Sequence, residues 1–247
     1  MRFNNLKGEL MKPRMKIGLL VIFVIGAVVG IWVWRDYQSW LALGPGGVPY
    51  NLQGWAQVTW MRLWKKNPLD PQLFADKIGK KGDIAALGQL PNRAGNRPTI
   101  DPHPVPHRQK DQFSDEHTRK DLTALFDGMI ASQPQLLHYQ KSTFERRNDA
   151  IFLRDPEKGT LNTKAQGEVG HIHPSDGSMH ITLSPSDAKT VLQAGWGELH
   201  SLAGDGGPLP FTYLMIYSPR NKEELVVIEQ ILKAAVQYHA GNQLKQS

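Results

Sequence analysis

The distribution of apolar and polar residues divides the chain into three parts. Residues 17–34 form an apolar run without a charged residue. Residues 35–113 are irregular and rich in Pro, Gly and Trp. In residues 114–240, apolar positions recur either with the 3.6-residue period of helices or in the short runs typical of strands. The pattern therefore predicts one folded domain that follows an apolar segment and a linking or wrapping segment.

Local signals define the elements of residues 114–240. Ser114 is the predicted cap of a helix that runs to about Ser132 with one apolar face. The runs 167–173 and 179–183 predict a β-hairpin around the turn-rich sequence PSDGS. The remaining predicted elements are strands at 135–145, 150–153 and 211–217, a short helix from Ser184 or Ser186 to Ala194, and a final helix behind the capping-box-like pair Asn221 and Glu224.

These elements predict an α+β fold, a mostly antiparallel sheet packed with helices, preceded by one N-terminal transmembrane helix. A short helix is also expected between Leu73 and Leu90. Trp40, Trp55, Trp60 and Trp64 indicate docking of the wrapping segment, on the core or on a membrane surface. The predicted boundaries are a basic tail at 1–16, an anchor at 17–34, a wrapping segment at 35–113, a catalytic core at 114–240 and a C-terminal tail at 241–247.

The apolar run has the length of a membrane span. Its eighteen residues, 17–34, would extend roughly 27 Å as a helix, close to the thickness of a bilayer core. Trp32 and Trp34 stand at its end, where interfacial aromatic residues are expected, and Arg35 follows. A buried core helix and a cleaved signal peptide are the alternatives, and the bulky residues after the run do not form a small-residue cleavage site.

Charge and cysteine content narrow the choice of partners and chemistry. The net charge is +6, and five basic residues against one acidic residue give residues 1–34 a charge of +4. The rest of the chain is nearly balanced and has no dense basic block, which argues against a nucleic-acid partner. The basic tail instead predicts a single-pass membrane protein with a cytosolic N-terminus, in the endoplasmic reticulum or another endomembrane. Because the chain has no cysteine, disulfides, thiol nucleophiles and thiolate metal sites are excluded.

Histidines around the predicted hairpin carry the most informative chemistry. His171 and His173 are two residues apart, so on a strand they face the same side, and His180 lies just across the turn. Such a group suits acid–base catalysis near neutral pH. It would also suit a metal site, with His171, His173 and His180 as ligands. A hydrogen-bonded set of turn residues is the plain structural alternative. The further candidates nearby are Glu168, Asp176 and His200.

Four other side chains are candidates for substrate binding. Trp196, between two glycines, suits the wall of a pocket for a flat molecule, although a core position is the alternative. Arg220 would meet an acidic or enolate group, or form a surface ion pair. Tyr213 and Tyr217 share one strand face and would offer a phenol to a pocket or pack in the core. The chain has no P-loop, dinucleotide fingerprint or G-x-S-x-G elbow.

Several strings, in order along nearly the whole chain, resemble the fungal luciferases and their non-luminous luciferase-domain relatives. They include LPNRAGNRP, FERRNDAIFL, EVGHIHPSDGSMHITLSPSDAKTVLQAGWGELHSLAG and YSPRNKEELVVIEQILKAAVQY. The resemblance implies a membrane-associated enzyme that adds O2 to 3-hydroxyhispidin, a styryl-pyrone, with loss of CO2 and emission of light. It also implies that no organic cofactor or metal is needed.

That chemistry would use the candidate residues in distinct roles. His171 or His173 would be the base, oriented by Glu168 or Asp176. The remaining roles would be oxyanion donors at His180 and His200, a pocket wall at Trp196 and a pyrone-binding cation at Arg220. Three alternatives stay open: a non-luminous hydrolase or decarboxylase of a related lactone or phenolic metabolite, a metal-dependent oxygenase, and a membrane-tethered binding protein without catalysis.

Overall fold

The structure is a computed structural model that describes residues 13–156, 163–204 and 206–241. The described part of the chain forms two compact units, divided between Gly44 and Pro45. The first contains the helix α1 (Pro13–Ala42), which is longer than the predicted apolar run because residues 35–42 contain neither Pro nor Gly. Its length and composition are those of a helix that could cross a membrane. Residues 1–12 of the predicted basic tail and 242–247 of the C-terminal tail lie outside the described residues.

The second unit contains the predicted α+β fold. Its helices are α2 (Leu52–Met61), α3 (Glu116–Ser132), α4 (Pro185–Gln193) and α5 (Lys222–Ala240). Its strands are β1 (Leu137–Lys141), β2 (Asp149–Leu153), β3 (Glu168–Ile172), β4 (Met179–Thr182), β5 (Gly197–Leu199) and β6 (Tyr213–Ile216). Short 3₁₀ turns lie at Arg62–Trp64, Pro71–Lys77 and Thr163–Ala165.

In the described part of the chain, the six strands form one sheet in the order β1-β2-β3-β4-β6-β5. All neighbouring strands are antiparallel. The predicted hairpin is β3 and β4, and its register places His171 directly opposite His180. Both side chains therefore lie on the same face of the sheet.

The two faces of the sheet have different chemistry. One face carries apolar side chains such as Met179 and Ile181, which belong to the main hydrophobic core together with residues of α3, α4 and α5. Because side chains alternate along a strand, His180 between them points to the opposite face. That opposite face holds buried polar residues, among them His171 and His180.

Helix caps agree with the sequence at two of three predicted positions. Ser184 accepts a hydrogen bond from the Asp187 amide at 3.1 Å, and Asn221 caps α5 in the predicted way. The prediction of Ser114 as the cap of α3 is wrong. The cap is Asp115, whose carboxylate accepts from the Thr118 amide at 2.7 Å. A carboxylate at this position also interacts favourably with the helix dipole.

The wrapping segment is more ordered than its composition predicts. Helix α2 lies within it, and Asn51 begins that helix by accepting from the Gly54 amide at 3.1 Å. The helix expected between Leu73 and Leu90 is only a 3₁₀ turn that ends at Lys77. Sequence reasoning missed α2 because the surrounding Pro and Gly residues dominate the local signal.

The predicted strand 135–145 is too long, since β1 ends at Lys141. The next residue, Ser142, turns the chain by accepting from the amides of Phe144 and Glu145 at 3.2 and 3.0 Å. Side-chain to backbone bonds of this kind compete with a strand ladder. The turn has a functional consequence, because it carries Glu145 to the polar face of the sheet.

Candidate active site

The predicted histidines come together in the structure. His171, His173 and His180 are at most 2% exposed. Their ring centres lie 5.3 Å apart for His171 and His173, 4.7 Å for His173 and His180, and 5.5 Å for His171 and His180. The hairpin thus presents three imidazoles at one place on the buried polar face.

Two further histidines extend this group. His200 follows β5, and its ring centre lies 5.5 Å from that of His180. His107 comes from the loop before α3, 4.8 Å from His200 and 5.5 Å from His180. Sequence reasoning did not select His107. The only available signal was its position in the histidine-containing, proline-rich loop HPVPH.

The tautomer of the His180 ring is fixed by a backbone carbonyl. Its Nδ1 lies 3.1 Å from the Leu214 oxygen, which can only accept a hydrogen bond. Nδ1 of His180 therefore carries the proton, and Nε2 carries the lone pair. His180 can act as a base through Nε2.

The two predicted carboxylates are each linked to a histidine. Glu168 contacts Nδ1 of His171 directly, at 2.8 Å. Asp176 acts through Ser178, whose hydroxyl donates to Asp176 at 2.9 Å and lies 2.8 Å from Nδ1 of His173. Since that hydroxyl proton is given to Asp176, the serine oxygen accepts from Nδ1–H of His173.

Glu198 orients the additional histidine. One of its oxygens lies 3.1 Å from Nε2 of His107, and the other accepts from the Tyr217 hydroxyl at 3.0 Å and from Arg97. Although burial alone would raise it, contacts with His107 and Arg97 hold the pKa of Glu198 below its ordinary value. The carboxylate is therefore ionised and accepts Nε2–H of His107, which leaves the Nδ1 lone pair of that ring.

Burial keeps three histidines and one tyrosine of the site neutral near pH 7. Desolvation is the main reason why the pKa values of His173, His180 and His200 lie well below the ordinary value for histidine. Desolvation likewise raises the pKa of Tyr213 well above the ordinary value for a phenol. The site thus contains unprotonated imidazoles beside a protonated hydroxyl group.

A cavity of about 280 Å³ opens onto His180, His200 and Tyr213. Its polar lining includes His107, His180, His200, Glu145 and Tyr213. Its apolar lining includes Val48, Met61, Val105, Phe144, Leu202 and Leu209. Such a combination of apolar walls with a few convergent polar groups is typical of small-molecule sites.

Tyr213 forms part of the cavity wall. Its ring stacks on that of His180, with centres 4.5 Å apart. Its hydroxyl is buried and has no hydrogen-bond partner within the described residues. A buried hydroxyl without a partner is available to a ligand in the cavity.

Sequence reasoning also missed an ion pair beside the cavity, which Glu145 lines. Arg108 donates to both carboxylate oxygens of Glu145, at 2.9 Å each. Asn148 donates to the same carboxylate at 3.0 Å. Neither loop has a periodic pattern that would have placed Arg108 and Glu145 together.

Three predicted substrate-binding residues do not line this cavity. Trp196 belongs to the hydrophobic core, and its indole N–H donates to the Pro91 carbonyl at 2.7 Å. Arg220 forms an ion pair with Glu224 and donates to the Ala94 carbonyl at 2.8 Å. Tyr217 donates its hydroxyl to Glu198, which in turn contacts His107.

Comparison with known proteins identifies the family. The luciferase-domain family model matches residues 166–235. A luciferase of Armillaria mellea is 33% identical over 239 residues, which cover 90% of this chain and 88% of the relative. A luciferase of Neonothopanus nambi is 33% identical, with 83% and 80% covered. The chain belongs to the fungal luciferase family.

Family membership gives the site a general function. The matched segment of this luciferase-family protein contains four of the clustered histidines and Tyr213. The protein is therefore luciferase-like, an oxygenase-type enzyme with a small-molecule substrate. No solved structure matches the chain significantly.

Proposed function

We propose that this protein adds O2 to an enolic hydroxypyrone of the 3-hydroxyhispidin type, with loss of CO2 and with light emission as one possible output. O2 is the co-substrate, and no organic cofactor takes part. The observation that carries the proposal is the lone pair on Nε2 of a buried His180 at an apolar-walled cavity, in a member of the luciferase family.

His180 is the proposed base, because it lines the cavity. Removal of the enol proton gives an enolate that reacts with O2, so a neutral imidazole must be present before substrate binds. The depressed pKa of His180 ensures that neutral form. His171 and His173 were the bases expected from sequence, but they are fully buried and are not part of the cavity lining.

Tyr213 is the proposed donor to the developing oxyanion. Its hydroxyl has no competing partner within the described residues, and its raised pKa keeps it protonated. His200 suits this role less well. Its Nδ1 accepts from the Leu202 amide at 3.1 Å, so its proton is on Nε2, and the Pro104 carbonyl already accepts that proton. The apolar walls would exclude water, which would otherwise divert a peroxide intermediate.

We also propose that α1 anchors the protein as a single-pass span with the N-terminus in the cytosol. The span lies within residues 14–42, which have a mean hydropathy of 2.7 in their most apolar window. In the second unit, Trp60, Leu63 and Trp64 are 64%, 69% and 63% exposed, as residues at a membrane interface would be. An endomembrane such as the endoplasmic reticulum is the proposed location.

Turnover by the purified full chain in detergent tests the proposed reaction. With 3-hydroxyhispidin in air, we expect one CO2 released for each O2 consumed, and light is recorded in parallel. His180→Gln should lower turnover by about 10²- to 10⁴-fold, the usual contribution of a general base. His117→Gln is the control, because that histidine is exposed on α3.

The alternatives give different results in the same experiment. Lactone opening without oxygen uptake would indicate a hydrolase and contradict the proposed oxygenation. Binding of the pyrone without any product would indicate a non-catalytic binding protein. A His180→Gln variant that turns over at the wild-type rate would remove His180 from the reaction.

A further inference from the structure

We propose that Glu145, His171 and His173 bind one divalent first-row transition-metal ion, and that ferrous iron is the ion best suited to them. One ligand atom from each of these side chains lies within 4.8 Å of those of the other two. The site itself is inferred from geometry and charge. Only its use in oxygen chemistry rests on the proposed function.

The two histidines present unused lone pairs. Glu168 accepts a hydrogen bond from Nδ1–H of His171, and the Ser178 hydroxyl oxygen accepts one from Nδ1–H of His173. Both Nε2 atoms are buried without a hydrogen-bond partner among the described residues. Two adjacent buried acceptors without donors are costly unless a cation or a water molecule fills the space between them.

The arrangement around these lone pairs is the one found around metal ligands. A metal-bound histidine almost always donates its other N–H to a carboxylate, a carbonyl or another acceptor, which fixes the ring. Glu168 performs this role for His171 at 2.8 Å. Ser178 performs it for His173, and Asp176 in turn fixes Ser178.

Glu145 supplies the third ligand. Its Oε1 lies 3.7 Å from Nε2 of His173, close to the separation of two ligands that share an ion at about 2.0–2.2 Å. Arg108 and Asn148 donate hydrogen bonds to the Glu145 carboxylate and so fix its position. A carboxylate has about four lone-pair positions, so Oε1 can accept from Arg108 and still bind an ion.

The buried charges around the cluster favour the binding of a cation. Glu145, Glu168 and Asp176 are each at most 6% exposed, and Arg108 is 5% exposed. With these carboxylates ionised, three negative groups and one guanidinium leave a formal charge of −2. A divalent ion would neutralise it, and uncompensated buried charge is strongly unfavourable.

A second group of donors, His107, His180 and His200, is less suited to an ion. Nδ1 of His200 accepts from the Leu202 amide at 3.1 Å. The proton of the neutral ring is therefore on Nε2, and the Pro104 carbonyl accepts it. His200 has no lone pair left, so this group is assigned to acid–base chemistry at the cavity.

The donor set favours iron among the first-row metals. Two histidines and one carboxylate, with positions left open, form the ligand set of non-haem ferrous oxygenases. Glu145 also lines the cavity, so the ion would lie beside the proposed substrate site. The proposal departs from the metal-free chemistry that the family resemblance implies.

Metal binding by the full chain in detergent tests the site. The purified protein is stripped with a chelator and titrated without oxygen, first with Fe²⁺ and then, in a separate sample, with Co²⁺, whose visible absorption reports its ligands. We expect one ion per chain. His171→Ala and His173→Ala should weaken binding at least about 100-fold, and Glu168→Gln about 10- to 100-fold, since it only orients a ligand.

His239→Gln is the matched control, because His239 is an equally buried histidine that lies in α5. It should bind the ion with unchanged affinity. Failure of the wild-type chain to bind either ion, or equal affinity in the His171, His173 and control variants, would overturn the proposal. Thermal unfolding of each variant separates loss of a ligand from loss of the fold.

Oxygen uptake by the same samples distinguishes this proposal from the proposed function. Stoichiometric binding without turnover of any hydroxypyrone would leave the metal site standing and reject the reaction. Full turnover by a chain that binds no metal would support the reaction and reject the metal site.

Discussion

At the scale of single residues, Tyr213 allows a proposed role in the reaction to be tested separately from a role in stability. Its hydroxyl has no partner in the described chain, so Tyr213→Phe removes no hydrogen bond and should leave the melting temperature nearly unchanged. If the hydroxyl stabilises the oxyanion, kcat/KM should fall by about 10-fold or more. Thermal unfolding and steady-state kinetics measure the two effects. Equal activity of the two proteins would contradict the proposed role.

Strand parity was enough to predict that three histidines come together. His171, His173 and His180 follow from alternation along two strands and one turn. Arg108 and Glu145 could not be found in this way, because irregular loops carry them. Their positions depend on contacts between residues far apart in sequence. One example is the Thr143 amide, which donates to the Glu168 carboxylate at 2.7 Å.

At the scale of elements, the hairpin β3–β4 aligns the histidines and tolerates little change. A Cβ atom added at Gly170 would lie 2.5 Å from the backbone oxygen of His180 and 3.2 Å from Cα of Ile181. Backbone atoms cannot move aside as a side chain can, so Gly170→Ala should destabilise the sheet by roughly 1–3 kcal/mol. Denaturant unfolding measures the loss.

Gly128→Ala, in α3, is the control for that substitution, because a Cβ atom there meets nothing within 4 Å. Alanine also has the higher helix propensity, so this variant should be as stable as the wild type or slightly more stable. If Gly170→Ala unfolds at the same denaturant concentration as Gly128→Ala, the close approach of β3 and β4 does not exclude a side chain at position 170.

Elements with a clear period were predictable, and those set by local competition were not. α3, α5 and the hairpin combine an apolar period with caps or turn residues. The early end of β1 depends on one hydroxyl, that of Ser142, and the beginning of α2 depends on Asn51. Such side-chain bonds outweigh composition over a few residues.

At the scale of the whole molecule, the proposed anchor predicts where the protein is found. Val24 and Val28 lie in α1 and are 50% and 61% exposed. An arginine near the centre of a span costs about 2.5–3.5 kcal/mol for insertion. Val24→Arg combined with Val28→Arg should therefore release the protein from membranes washed with alkaline carbonate, whereas the corresponding double change to Leu should not. Release of the wild-type protein by the same wash would contradict a spanning helix.

The buried histidines should also make the folded protein less stable as the pH falls. His173, His180, His200 and His239 have depressed pKa values in the folded protein, with that of His239 lowered to about 4, chiefly by burial. An unfolded histidine titrates near 6.5, so below that pH the unfolded chain binds more protons than the folded one. Folding stability is therefore complete above pH 6.5 and falls as the pH is lowered.

The size of this effect follows from proton linkage. Between pH 6.5 and 5.5, four histidines that stay neutral would lower the free energy of unfolding by on the order of 4 kcal/mol. The melting temperature should then fall by roughly 10 °C. Tryptophan fluorescence of the full chain in detergent, with chelator present so that metal binding adds no proton release, measures it. His239→Leu should reduce the slope by about one quarter. A melting temperature that is constant or rises toward pH 5.5 would mean that these imidazoles take up protons at least as readily in the folded protein as in the unfolded chain, and it would contradict their depressed pKa values.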